Sequence, residues 1–194
     1  MIILGIDPGT RFTGIGIIEK TSRNNRMVFA DVIILSPSDA MPLRLKKIFE
    51  SLSDAIKKYT PDEMAIETMF YGKNAQSAMK LGQARGVAIL TSVLNNIPIA
   101  EYSPREVKKS VVGYGAASKQ QVQTMVKTLL KMKSVPKHYD VTDALAVALC
   151  HSFSLTIFHS LHNKTENKRY KNWREFLNAH PEKIRDYPSA LKYF

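Results

Sequence analysis

The sequence predicts an α/β protein: a mixed five-stranded sheet flanked by helices. Three observations carry this. The chain opens with short apolar runs rich in β-branched residues, stretches of helical period follow, and the two kinds then alternate.

Ile2-Ile3-Leu4-Gly5-Ile6 reads as a buried strand that Asp7 ends, with Pro8-Gly9-Thr10 as a turn. Thr13 to Ile18 alternates glycine with apolar residues and returns as a second strand. Val28 to Leu35 follows the polar turn Ser22 to Asn25 and completes an antiparallel meander. Leu43, Leu45, Ile48, Phe49, Leu52, Ile56 and Tyr59 recur at helical spacing until Pro61 stops them. Met64 to Glu67 is the fourth strand. A second helix runs from Asn74 to about Asn95, with Gly82 and Gly86 one turn apart, and Ile97 to Tyr102 is the fifth strand. Ser118 opens a third helix to about Lys131, and Asp140 a fourth to about His151. There is no internal repeat.

The 194 residues carry a formal net charge of +11, which a fold does not require and an anionic partner explains, nucleic acid before a membrane surface. One cysteine, Cys150, excludes an internal disulfide and suits a reducing cytoplasm. No apolar run approaches the ~20 residues of a membrane span, and Met1 to Ile6 is too short for a signal core. A cytoplasmic protein is expected. Its character changes after about residue 154, so a core of residues 1–154 and a basic, aromatic extension of residues 155–194 are expected; the last 40 residues hold +4 of the charge.

Four carboxylates stand out by position. Asp7 and Glu67 each close an apolar strand, where burying an unpaired charge is costly. Asp140 and Asp143 lie three residues apart at a helix start and share a face. Phosphodiester hydrolysis with two Mg²⁺ ions wants such a set, because Mg²⁺ takes hard oxygen ligands and two ions ~4 Å apart clamp the attacking and leaving oxygens. Each acid also has an ordinary local role open to it: Asp7 in a turn, Asp140 and Asp143 at a helix cap, Glu67 at a surface strand end. Only convergence in space separates the two readings.

The order of motifs adds to this. Gly5-Ile6-Asp7-Pro8-Gly9-Thr10, Ala65-Ile66-Glu67, Lys80-Leu81-Gly82-Gln83-Ala84-Arg85-Gly86, Val111-Val112-Gly113 and Thr142-Asp143-Ala144-Leu145-Ala146 together resemble the bacterial RuvC family over about residues 1–153. The resemblance implies a ribonuclease-H-like (retroviral-integrase-like) fold and a homodimer that resolves Holliday junctions in recombination and repair by nicking two opposing strands. It also implies the branch-migration proteins RuvA and RuvB as partners. The family's catalytic, metal-binding acids fall on Asp7, Glu67, Asp140 and Asp143; some members carry histidine at the position of Asp140. Mg²⁺ is the implied cofactor, two ions per site, with Mn²⁺ able to substitute.

Phe70 and Tyr71 follow Glu67, with Lys73 just beyond, and an aromatic pair beside a metal site suits stacking on an unpaired base. By resemblance Phe70 is the junction-stacking aromatic; either ring is also suited to anchoring the next helix. Lys108 and Lys109 precede Val111-Val112-Gly113-Tyr114-Gly115, whose two glycines read as a mobile loop. Ser118 and Gln121 form a capping-box pattern, leaving a helix start next to Lys119 for a phosphate. By resemblance Lys108 and Lys119 support cleavage, with Lys119 in a catalytic role. Lys109 is a candidate DNA contact or an ordinary solvated lysine. The Gly82/Gly86 pair on the helix of Arg85 suits close helix packing; by resemblance this helix lies near the dimer interface, and packing within one chain is the other reading. Aromatics and basic residues in the extension, among them Tyr170, Trp173, Lys171 and Arg174, suit added DNA contacts, a docking segment or an appended tail.

Two other classes share features. The opening motif also looks like the first phosphate loop of actin-like ATPases, but those need a second such loop and a longer chain. A non-catalytic DNA-binding module on the same fold would be free to lose its acids, and all four are present.

Overall fold

The structure is a computed structural model and describes residues 1–22, 24–68 and 75–165, with side chains to residue 156. Five strands form one sheet in the order β3-β2-β1-β4-β5. They are β1 (Ile2–Asp7), β2 (Phe12–Lys20), β3 (Asn25–Ile34), β4 (Glu63–Glu67) and β5 (Ile99–Tyr102). The meander β1-β2-β3 is antiparallel, whereas β4 joins β1, and β5 joins β4, in parallel. This is the mixed sheet expected. Among the described residues five helices accompany it: α1 (Met41–Tyr59), α2 (Ala75–Leu94), α3 (Pro104–Val112), α4 (Lys119–Leu129) and α5 (Tyr139–Thr165).

Two cores sit on opposite faces of the sheet, and strand alternation assigns residues to them. Leu4, Ile6, Ile15, Ile17, Met64 and Ile66 pack with Ile48, Leu52 and Ile56 of α1 and Ala84 and Ala88 of α2. Ile3, Ile18 and Ala65 pack with residues of α3, α4 and α5, Leu145, Ala148 and Leu149 among them. The second face is built from small residues at its centre. Side chains at Gly5, Gly14 and Gly16 would each meet the α5 backbone, at 2.1 Å from the Ala144 oxygen, 1.9 Å from the Asp140 oxygen and 2.7 Å from the Leu145 nitrogen. Helix α5 therefore rests directly on β1 and β2.

Three expectations change. The stretch from Pro104 to Val112 is a helix, α3, capped by a Ser103/Glu106 box and ended by Gly113 at φ 83°. Gly113 is thus a helix cap in the left-handed region, where glycine carries no steric cost. Gly115 has a different reason: its added Cβ would lie 2.8 Å from Arg105 Cγ. The last helix runs well past His151, to Thr165. Finally, Leu43 and Phe49 of the α1 stripe stay largely exposed. The chain separates into two compact units, Met1–Leu155 and Thr156–Phe194; most of the second lies outside the described residues.

Candidate active site

Strand parity and register gather the acids. Asp7 shares its face of β1 with Ile3 and Gly5, and Glu67 shares its face of β4 with Ala65, so both point to the α5 side. The parallel register pairs Ile6 with Ile66, which puts Asp7 and Glu67 one step further along neighbouring strands. On the other side Asp7 pairs with Gly14, and the Asp140 backbone rests on Gly14. One turn on, Asp143 lies within 3.5 Å of the Lys119 ammonium. The loop after Asp7 is held tightly: Thr13 Oγ1 donates to the Gly9 carbonyl at 2.9 Å and accepts from its N–H at 3.2 Å.

The electrostatics register this convergence. Burial, then the charges of Glu67, Asp143 and Asp140, push the Asp7 carboxyl up to about 8, against the pull of Lys119. Burial and Asp143 push Glu67 up to about 7, while a hydrogen bond with Asp7 and the charges of Lys119 and Lys108 oppose the rise. Asp143 is raised by burial, with Lys119 opposing. Acids this reluctant to ionise alone stabilise a bound cation strongly. Among the described residues no three His, Cys, Asp or Glu side chains stand close enough together to hold a metal unaided. The set still fits Mg²⁺, which is held through one or two carboxylates and keeps positions for water and phosphate.

Lys119 is the first residue of α4, and its ammonium also lies 5.8 Å from the Tyr139 ring. The Ser118/Gln121 box forms as read, but it uses the Gln121 N–H, so the phosphate-binding capacity of this helix start rests largely on the Lys119 side chain. Lys108 is half-buried on α3, close enough to bias Glu67 and Asp143. Lys109 is exposed and lines a groove with Arg105 and Tyr114. Phe70, Tyr71 and Lys73 lie outside the described residues.

Two features were not read from the sequence. One is the glycine seat under α5; the repeated glycines of β2 were its signal. The other is His151, buried, with Nδ1 2.7 Å from Tyr102 Oη and Nε2 2.6 Å from Glu63 Oε2. Arg85 forms an ion pair with Glu101, whereas Gly86 on the same helix has nothing within 4 Å of an added Cβ.

A family model described as crossover junction endodeoxyribonuclease RuvC matches residues 3–151. The RuvC of Desulforamulus reducens is 51% identical over 152 residues, which cover 78% of this chain and 93% of that protein. The RuvC of Salinibacter ruber is 41% identical and covers 95% of this chain and 99% of its own length, so the likeness extends well into the segment after residue 155. Among solved structures, Thermus thermophilus RuvC in complex with Holliday junction substrate superposes with a TM-score of 0.77 at 30% identity, covering 81% of this chain and 96% of that one.

Proposed function

The chain belongs to the RuvC family of crossover junction endodeoxyribonucleases, and from that premise we propose how its own residues cut a four-way junction. It is a structure-selective DNA endonuclease that resolves Holliday junctions in recombination and repair. Asp7, Glu67, Asp140 and Asp143 are the metal-binding catalytic acids; when bound, two Mg²⁺ ions, or Mn²⁺ in their place, supply the Lewis acidity for in-line hydrolysis. The carrying observation is that Asp7 and Glu67, at the ends of neighbouring strands β1 and β4, feel the charge of Asp143 on α5, with Asp140 acting on Asp7 as well, and that both strand acids have strongly raised proton affinity. Lys119, whose ammonium lies 3.5 Å from Asp143, would supply positive charge to the scissile phosphate beside the metal-binding acids. Lys108 and Lys109 extend the basic surface from the acids, and Phe70, with Tyr71 and Lys73 beside it, engages an unstacked base at the crossover. Residues 1–154 form the nuclease domain, and 155–194 add basic and aromatic contacts.

Paired nicks require two sites in fixed relation, and helix α2 offers the surface for a homodimer. Met79, Leu90 and Val93 are 68%, 53% and 56% exposed, and with Gly86 they fall seven, four and three residues apart along one seam. An apolar seam of this period, open where Gly86 permits close approach, fits a second copy of itself. RuvA and RuvB association and a cytoplasmic location complete this reading; no described helix is long and apolar enough to cross a membrane.

The test is cleavage of a synthetic four-way junction with Mg²⁺, beside a linear duplex of matching sequence. Paired nicks in the junction alone, abolished by Asp7→Asn while binding persists, support the reading. Junction binding without cleavage under any divalent metal would overturn it.

A further inference from the structure

The acidic cleft does not account for a second basic surface beside it. A groove of about 790 Å³ runs between the start of α3 and the α3–α4 connection, lined among others by Arg105, Lys108, Lys109 and Tyr114. Lys108 belongs to both places, because its charge acts on Glu67 and Asp143. Lys108 is thus the residue that links the groove to the acids. Its one acid, Glu106, is held in the α3 capping box by the Ser103 hydroxyl and backbone, so the groove carries three cations, Arg105, Lys108 and Lys109, against one anion.

Tyr114 stands out here. It is 64% exposed, a large aromatic held in solvent. The backbone on either side is pinned. Gly113 caps α3 through its N–H to the Lys109 carbonyl, Ala117 donates to the Tyr114 carbonyl at 3.3 Å, and Ser118 opens α4 with its own box. Arg105 packs against Gly115 so closely that a Cβ there would clash. Two capped helices and a side chain beneath thus present the ring outward, beside cations on the adjoining turn. An exposed aromatic on a fixed backbone next to basic residues matches the stacking-plus-phosphate arrangement that binds single nucleic-acid strands.

We propose that this groove is a second DNA-strand site, in which Tyr114 stacks on a nucleobase and Arg105 and Lys109 hold the flanking phosphates. It receives the strand as it leaves the acidic cleft, and so rests on the nuclease reading above. Near the crossover of a four-way junction, where strands exchange partners, pairing and stacking open more easily than in intact duplex, so such a strand is more readily available there. Tyr114 therefore contributes to preference for junctions over linear DNA.

The test uses the full chain and a fluorescent four-way junction carrying 5-iodouracil near the crossover, without divalent metal. Ultraviolet crosslinking is expected to join the DNA to a peptide containing Tyr114. Tyr114→Leu is expected to weaken junction binding roughly tenfold and linear duplex binding far less, while Tyr114→Phe keeps wild-type affinity. Arg105→Ala and Lys109→Ala each reduce the slope of log affinity against log salt by about 1. Wild-type affinity in Tyr114→Leu, or crosslinks confined to other peptides from every labelled position, would overturn the proposal and leave the nuclease standing. A wild-type chain that fails to prefer or cut junctions would overturn the nuclease reading instead, and this site with it.

Discussion

Gly14 and Asp140 touch backbone to backbone: a Cβ on Gly14 would stand 1.9 Å from the Asp140 carbonyl oxygen. Because Gly14 is also the register partner of Asp7, this one contact sets how far the α5 acids lie from the β1 acid. The glycine serves the site by having no side chain.

Gly14→Ala therefore moves α5 outward. Overpacking of this kind costs about 1–3 kcal/mol, and displacement of catalytic groups by ~1 Å costs about 100-fold in rate. The expected variant folds, melts a few degrees lower, binds junctions through its basic surface and cuts at least about 100-fold more slowly. Calorimetry beside single-turnover cleavage checks this; wild-type cleavage would show that α5 tolerates the shift.

The raised acids make stability depend on pH and metal. Folded Asp7 keeps its proton up to about 8 and Glu67 up to about 7, whereas the unfolded carboxyls release theirs near pH ~4. The folded state thus binds more protons across this window, so metal-free stability is greatest below about pH 4 and declines towards pH 8 as far as these two groups control it. Asp7→Asn removes the larger part of the strain and is expected to melt about 2–8 °C above wild type at pH 8 in EDTA, with a smaller gap at pH 5. Mg²⁺ raises the wild-type Tm and leaves the variant's nearly unchanged. Melting curves at both pH values with and without metal decide it, and identical curves for the two proteins would remove the metal-site argument.

Lys119 separates chemistry from binding. Its ammonium lies 3.5 Å from Asp143 and is otherwise 64% exposed, so it adds little to the fold. Lys119→Ala is expected to slow cleavage by about 100-fold at saturating enzyme, while junction affinity falls less than about threefold, one phosphate contact among many. The reverse pattern would make it an anchor only.

On α2, Leu90→Glu places a charge in the exposed seam. Sedimentation is expected to show a dimer for wild type and a monomer for the variant, whose nicks on opposing strands lose their pairing in time. A Leu90→Glu dimer would move the interface elsewhere.

Much of this was readable beforehand, and the misses have physical causes. The strands were legible because β-branched runs ended at charged or turn residues, as at Ile6-Asp7 and Ile66-Glu67. That Asp7 and Glu67 share a face was not legible, because it depends on the parallel pairing of Ile6 with Ile66, which no local pattern encodes. Helix α3 was missed although Ser103-Pro104-Arg105-Glu106 carries the same capping box as Ser118 to Gln121, with proline at the first turn as well. The valines and glycine at its end drew the reading towards a loop. The seam on α2 was unreadable as a surface because its apolar residues look like core until the other face, with Ala84, Ala88 and Thr91, is seen to be buried. The pairing of His151 with residues 49 and 88 positions away lies beyond any local pattern.

That pairing supports the last prediction. His151 joins α5 to β5 through Tyr102 and to β4 through Glu63, so the helix bearing Asp140 and Asp143 is tied to the strand bearing Glu67. Deleting the imidazole leaves a cavity and two polar groups without their partner, whereas deleting the tyrosine hydroxyl removes one bond. His151→Ala is expected to cost about 2–4 kcal/mol and Tyr102→Phe about 1 kcal/mol. Glu63, being partly exposed, recovers water when the imidazole is lost, so its share is the smaller part. Urea unfolding of the two variants gives the comparison. Equal losses would mean that the hydroxyl, and not the three-residue chain, holds α5 to the sheet.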